Sequence, residues 1–319
     1  IIYYIIYYII YYIIYYIIYY IIYYIIYYII YYIIYYIIYY IIFSYYYINI
    51  KNKYYIYILM YSGYQNIVSN IINTNNLDFK SNKSYNSILE HVSYEQGKSY
   101  ISLIIRIINE EFKEISFENI NNYLLMNDKY GNPTKHKFMY NNFEINCSPT
   151  SLRYVFHSLL ILKYFKNVNT KKIVEVGCGY GGLFLSINHF AKILNVEIDK
   201  YYFIDLPVVT NLIKKYLELH NNNININYSI ESAYNYGTDI NDNELFFISN
   251  YCFTEIEEVH RNNYIKHLLP KTSNGFIIWQ TVFNLPINMV NIINKDIKYI
   301  TEETPQTASI EKKNYYVYF

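Results

Sequence analysis

The chain has 319 residues, a formal net charge of +1 and three cysteines. So neutral a balance provides no global field to draw in nucleic acid or acidic membranes. Cys147, Cys178 and Cys252, far apart and never in a Cys-x-x-Cys pair, indicate neither a disulfide framework nor a zinc site, so a cytoplasmic protein without a metal centre is expected.

From Ile1 to Ile42 the tetrad Ile-Ile-Tyr-Tyr repeats without a substitution. A membrane segment, a strand array and a translated DNA microsatellite compete for it. As a helix, a period of four drifts about 40° per tetrad, so the Ile pairs spiral instead of forming a stripe. As a strand, Ile and Tyr at every position make a two-faced adhesive ribbon. A membrane span is long enough, yet half its residues carry a phenol that prefers the interface. Selection for structure tolerates Leu for Ile and Phe for Tyr, whereas slippage of a short DNA unit copies every codon, and the perfect repeat favours slippage. A membrane partner is expected only if this repeat is expressed.

The segment 43–170 reads as a mainly helical N-terminal region. Apolar residues recur at three-and-four spacing through 101–108 and from Leu152 to Phe165, Gly131-Asn132-Pro133 marks a turn, and Ser148-Pro149-Thr150 starts the last helix.

Over 171–319, short apolar strands alternate with helices. Strands are predicted at 173–176, 201–204, 224–230, 245–249 and 275–279, with helices at 184–194, 208–219 and 260–268 between them. Such alternation predicts an α/β domain, a parallel sheet covered by helices on both faces. Two strands, 297–300 and 315–319, end the chain with no helix between them.

The strongest chemical signal follows the first of these strands, in Val174-Glu175-Val176-Gly177-Cys178-Gly179-Tyr180-Gly181-Gly182. Of nine glycines in the chain, Gly177, Gly179, Gly181 and Gly182 fall in this turn. They admit positive φ and close approach to a ligand, while the helix N-terminus behind them offers free N–H groups. Dinucleotide binders space the glycines Gly-x-Gly-x-x-Gly. Here Glu175 stands two residues before the first glycine, where a carboxylate repels pyrophosphate and suits the ammonium and sulfonium charges of S-adenosylmethionine.

A cofactor ribose also needs a carboxylate at the end of the next strand. Asp205, in Phe203-Ile204-Asp205-Leu206-Pro207, is preferred because Leu-Pro ends the strand and a helix follows; Glu197, after the apolar run 193–196, is its rival.

The glycine pattern resembles motif I of the class I S-adenosylmethionine-dependent methyltransferases, and Gly177, Gly179 and Gly181 match it position by position. That resemblance implies a Rossmann-like sheet closed by a terminal antiparallel hairpin. A narrower likeness spans about 148–319. Asp205-Leu206-Pro207, Ser249-Asn250-Tyr251-Cys252-Phe253-Thr254-Glu255 and Glu303-Thr304-Pro305 resemble elements of the sugar O-methyltransferase family, with Thr254 at a usual Ser.

The resemblance implies methyl transfer to a hydroxyl of a sugar, glycan or other small-molecule acceptor, which needs a group to take the proton. Residues beyond the fourth strand of that fold face the methyl group, so Glu255 is the candidate base and His260 a substitute. Asn250 would hold the cofactor and Tyr251 orient the acceptor, with Arg153 and Glu303 as further substrate contacts. Glu255 also fits a solvated helix start, Arg153 a surface residue, and Glu303 a partner of Lys312 or Lys313. Trp279 fits a core residue or a sugar platform. Two other functions stay open: a non-catalytic methyltransferase-like binding domain, and an NAD-dependent oxidoreductase, which the glycine spacing and terminal hairpin speak against.

Overall fold

The computed structural model describes residues 2–73, 77–140, 143–281, 285–308 and 312–319, with the side chains of 42–62, 140 and 143 outside the description. Ile1 and the Ile42 side chain, the two ends of the tetrad run, therefore lie outside the described residues. The chain divides into two compact units, Ile1–Gly63 and Tyr64–Phe319.

The first unit is helical, part of α1 (Ile2–Asn73). From Ile2 to Ile41 every side chain is exposed. Neighbouring tyrosines meet edge-on, with ring centroids 6.4 Å apart at Tyr7–Tyr8 and 5.9 Å at Tyr35–Tyr36. By length and composition this segment is sufficient to cross a membrane.

In the second unit α2 (Lys83–Asn86), α3 (Tyr94–Glu111) and α4 (Phe117–Asn127) precede a hairpin of β1 (His136–Tyr140) and β2 (Phe143–Cys147). Ser93 starts α3 through a reciprocal capping box with Gln96. The hairpin departs from the helical reading of this region. It pairs buried Phe138 with buried Ile145, while Lys137 and Glu144 point outward and form an ion pair at 3.0 Å. That is a period of two over five residues, too short to stand out from its helical surroundings. Phe138 also packs against Gly97 of α3, where a Cβ would lie 2.7 Å from its ring.

There follow α5 (Pro149–Phe165), β3 (Lys172–Val176), α6 (Gly182–Ile193), β4 (Lys200–Asp205), α7 (Pro207–Glu218), β5 (Asn227–Ser232) and β6 (Leu245–Asn250). The chain then forms α8 (Glu258–His267), β7 (Thr272–Gln280), β8 (Tyr299–Glu302) and β9 (Asn314–Tyr318). Ser148 caps α5 by accepting the Thr150 amide hydrogen, with Pro149 in the first turn. β5 begins later than the apolar run predicts. The Asn188 side chain of α6 accepts the amides of Asn225 and Ile226 and donates to the Asn223 carbonyl, which holds that stretch as a turn.

The seven-stranded sheet has the order β5-β4-β3-β6-β7-β9-β8. Neighbours from β5 to β7 are parallel, and β9 runs antiparallel to both β7 and β8. This is the doubly wound α/β sheet with a terminal hairpin expected from the sequence. Successive residues feed opposite faces. Ile173, Tyr201, Phe203, Phe246, Ile248, Phe276 and Ile278 join the core packed against α3 to α7. Val174, Val176, Ile204, Phe247, Ile277 and Val317 join a second core with Tyr264, Leu268 and Ile293. From β3 the order runs outward to β4 and β5 on one side and to β6 on the other, so the switch point of the sheet lies between the C-terminal ends of β3 and β6.

Candidate functional site

Three segments meet at that switch point. After β3 the chain turns through Gly177, Gly179 and Gly181, all in the left-handed region with φ of 81°, 58° and 91°. Gly177 donates to the Ile204 carbonyl at 3.0 Å. A Cβ on Gly177 would collide with the Cys252 side chain, so the loop presses directly on the segment after β6.

Asp205 ends β4. One carboxylate oxygen accepts the Gly179 amide hydrogen at 3.0 Å and the other that of Leu206 at 2.7 Å. Burial raises its pKa to about 6, against the lowering effect of these N–H donors. A carboxylate has about four lone-pair sites, so two ribose hydroxyls still find acceptors. Glu197 stands outside this arrangement: it is exposed, precedes β4, and pairs with Lys171.

Glu175 is turned into the sheet's core. It is 2 % exposed and accepts a hydrogen bond from the Tyr201 hydroxyl at 2.8 Å, on the sheet face that carries Ile173 and Phe203. Burial pushes its pKa up to about 8, so at neutral pH it is mostly a neutral acid and supplies little charge for a cofactor cation. Strand alternation is the cause, because position 175 faces the Tyr201 layer.

At the end of β6, Ser249 donates to the Val176 carbonyl at 2.9 Å and accepts the Phe253 amide hydrogen at 3.1 Å, joining this turn to β3. Asn250 follows, with its side-chain oxygen buried and without a partner. Tyr251 adopts φ 66°, and its hydroxyl donates to Glu303. Glu303, 2 % exposed, also accepts from the Thr307 amide at 3.0 Å, the Thr307 hydroxyl at 2.7 Å and Asn314 at 3.0 Å. Lys313 instead pairs with Glu302 at 2.7 Å.

Glu255 lies one turn further on. The Gln280 amide nitrogen, facing the two acceptors around it, donates to Glu255 Oε1 at 2.7 Å and to the Tyr251 carbonyl at 2.9 Å. Burial raises the Glu255 pKa to about 7, offset in part by Gln280, a value at which a carboxylate exchanges protons near neutral pH. His260 sits elsewhere on α8, with Nδ1 at 2.6 Å from the Tyr236 hydroxyl and its ring stacked on Tyr236. Trp279 is fully buried and donates to the Leu285 carbonyl at 2.8 Å, so it is a core residue and not a sugar platform.

Arg153 is not on the surface. It is 4 % exposed, donates to the Leu89 carbonyl at 2.9 Å, and lies 5.7 Å and 5.4 Å from the ring centroids of Tyr154 and Tyr251. Leu89 and Tyr64 were not legible as site residues. A Cβ on Gly179 would lie 3.3 Å from the Leu89 side chain. Burial, and next the Asp205 charge, hold the Tyr64 phenol well above its ordinary pKa. No motif marks either position, since both lie far from the loop in the chain.

Solved structures similar to this chain include a candidate O-methyltransferase from Klebsiella pneumoniae, at 11% identity and TM-score 0.39, covering 71% of this chain and 99% of that one. A SAM-dependent methyltransferase from Aquifex aeolicus has 18% identity and TM-score 0.37, covering 53% and 91%. An O-methyltransferase family protein from Burkholderia thailandensis has 9% identity and TM-score 0.34, covering 53% and 58%. Neither a protein-family model nor a curated protein matches the chain. The fold assignment stands on the strand order and registers given above.

Proposed function

We propose that the Tyr64–Phe319 unit binds S-adenosylmethionine and transfers its methyl group to a hydroxyl of a sugar or glycan. The observation that carries this reading is the bond from the Gly179 amide to Asp205. It joins a left-handed glycine loop to an acid at the C-terminal end of the neighbouring strand, beside the switch point of the sheet. In the proposed complex Asp205 accepts the ribose hydroxyls, Gly177 and Gly179 let the ligand approach the backbone, and Asn250 offers its free side-chain oxygen.

The bound cofactor supplies an electrophilic methyl group on a sulfonium. Glu255 takes the acceptor hydroxyl proton, and Gln280 holds its carboxylate in place. Tyr251, fixed by Glu303, sets the wall against which the acceptor lies. The sugar acceptor is supported by the likeness of 205–207, 249–255 and 303–305 to the sugar O-methyltransferase family, and by the Tyr251–Glu303 bond that links two of those three elements. The proposed setting is the cytoplasm, with a small-molecule or glycan partner and no nucleic acid.

Calorimetric titration of S-adenosylmethionine, S-adenosylhomocysteine and NAD into the protein and into Asp205→Ala tests this. Micromolar binding of both adenosyl ligands, weakened by the substitution, is expected. Binding of NAD alone would establish an oxidoreductase instead. Adenosyl binding without turnover of any sugar acceptor would leave a binding domain.

A further inference from the structure

Arg153 carries a charge that the described residues do not neutralise in contact. It is buried, its only hydrogen bond among the described residues goes to the neutral Leu89 carbonyl, and no described carboxylate lies within ion-pair distance. A buried cation without a counter-ion is unfavourable, and an anion brought into contact with it relieves that penalty. Two acids stand near it without pairing with it. Glu303 already accepts four hydrogen bonds. Glu90 accepts from the Ser148 hydroxyl at 3.3 Å through Oε2, while its Oε1 is buried without a partner among the described residues. Burial raises the pKa of this acid against the pull of the Lys80 and Arg153 charges, and it lies beyond ion-pair distance of Arg153.

The surroundings of Arg153 place it beside the glycine loop. Leu89, whose carbonyl it binds, packs over Gly179; Tyr251, whose ring it covers at 5.4 Å, precedes Cys252, which packs on Gly177. With the Tyr154 and Tyr251 rings beside it and one N–H given to Leu89, the guanidinium keeps N–H donors for a planar, two-oxygen partner.

The geometry points to Arg153 as the counter-ion of a ligand carboxylate bound over the glycine loop. This rests on the cofactor reading above and extends it. Two sources share the chemistry: the amino-acid carboxylate of the cofactor, or a carboxylate on a uronic-acid type of acceptor. The first is the closer fit, since the contacts of Arg153 lead to Gly177 and Gly179.

The experiment is a four-way titration of the full chain. Wild type and Arg153→Met are each titrated with S-adenosylhomocysteine and with its analogue lacking the carboxylate; Arg153→Lys serves as a second variant if Met disturbs folding. Wild type is expected to prefer the carboxylate form by about 10- to 100-fold. In Arg153→Met that preference falls to about twofold with affinity for the decarboxylated analogue unchanged, and Arg153→Lys retains part of it. If the preference survives substitution, protein saturated with S-adenosylhomocysteine is titrated with glucuronate and glucose. A glucuronate preference lost in the variant assigns the acceptor instead. No Arg153-dependent preference in either arm overturns the inference while leaving the proposed function intact, whereas failure of wild type to bind either adenosyl ligand overturns the proposed function itself.

Discussion

Asp205 Oδ2 and the Gly179 amide nitrogen stand 3.0 Å apart across two neighbouring strands, so the acid is oriented before any ligand arrives. Burial keeps its pKa near 6, and the ionised form accepts both ribose hydroxyls as charge-assisted bonds, whereas protonation removes the charge and turns one oxygen into a donor. S-adenosylmethionine affinity is therefore expected to weaken as pH falls through about 6, by roughly tenfold at pH 5 relative to pH 7. Calorimetry across that range checks it; in Asp205→Asn the affinity is lower and this pH dependence is gone.

Glu255 must be ionised to take a proton, and its pKa is raised to about 7. The rate of methyl transfer is expected to climb with pH through this value and then level off. Glu255→Gln removes that limb and lowers kcat by about 10²- to 10⁴-fold. Gln280 lowers the Glu255 pKa, so Gln280→Leu moves the limb to higher pH. A limb that stays in place in both variants would assign the base elsewhere.

Glu303 gathers donors from Tyr251, Thr307 and Asn314 in a buried position. Its removal in Glu303→Ala strands them, with an expected loss of about 3 kcal/mol in urea unfolding. Tyr251→Phe deletes one of these bonds and costs about 1 kcal/mol.

Lys80 is 1 % exposed, donates to the Asn127 carbonyl at 2.5 Å and the Tyr216 hydroxyl at 3.1 Å, and lies over the Tyr180 ring at 4.5 Å. Burial lowers its pKa to about 8 from the ordinary 10.5. Between these values the unfolded chain binds more protons than the folded one, so stability rises with pH in that window and is lower below it. From pH 8 to 9.5 the gain is expected to be about 1 to 2 kcal/mol by urea unfolding, and Lys80→Met flattens it.

Much of the sheet could be read from the chain because each of its parallel strands is a short apolar run closed by a turn and separated from the next. The glycine loop was legible for the same local reason. Asp205 and Glu197 stayed in competition because each follows an apolar stretch, and only the start of β4 at Lys200 separates them. The burial of Glu175 against Tyr201 is not legible from the motif, because the glycine spacing does not specify which sheet face position 175 takes. Arg153 is left between a substrate contact and a surface residue by the sequence because Leu89, which helps to bury it, lies 64 positions earlier.

The last strand of the sheet to be synthesised is not the last in space. β9 lies between β7 and β8, so β8 leaves the ribosome before the strand that will hold it. Until residue 318 has emerged, β7 carries an open edge of apolar residues from Phe276 to Trp279. During translation this half of the sheet is thus open to wrong pairing, while β3, β4 and β5 already have their neighbours. Chaperone dependence in the cell should accordingly follow changes in β7 and β9 more closely than changes of equal severity in β4.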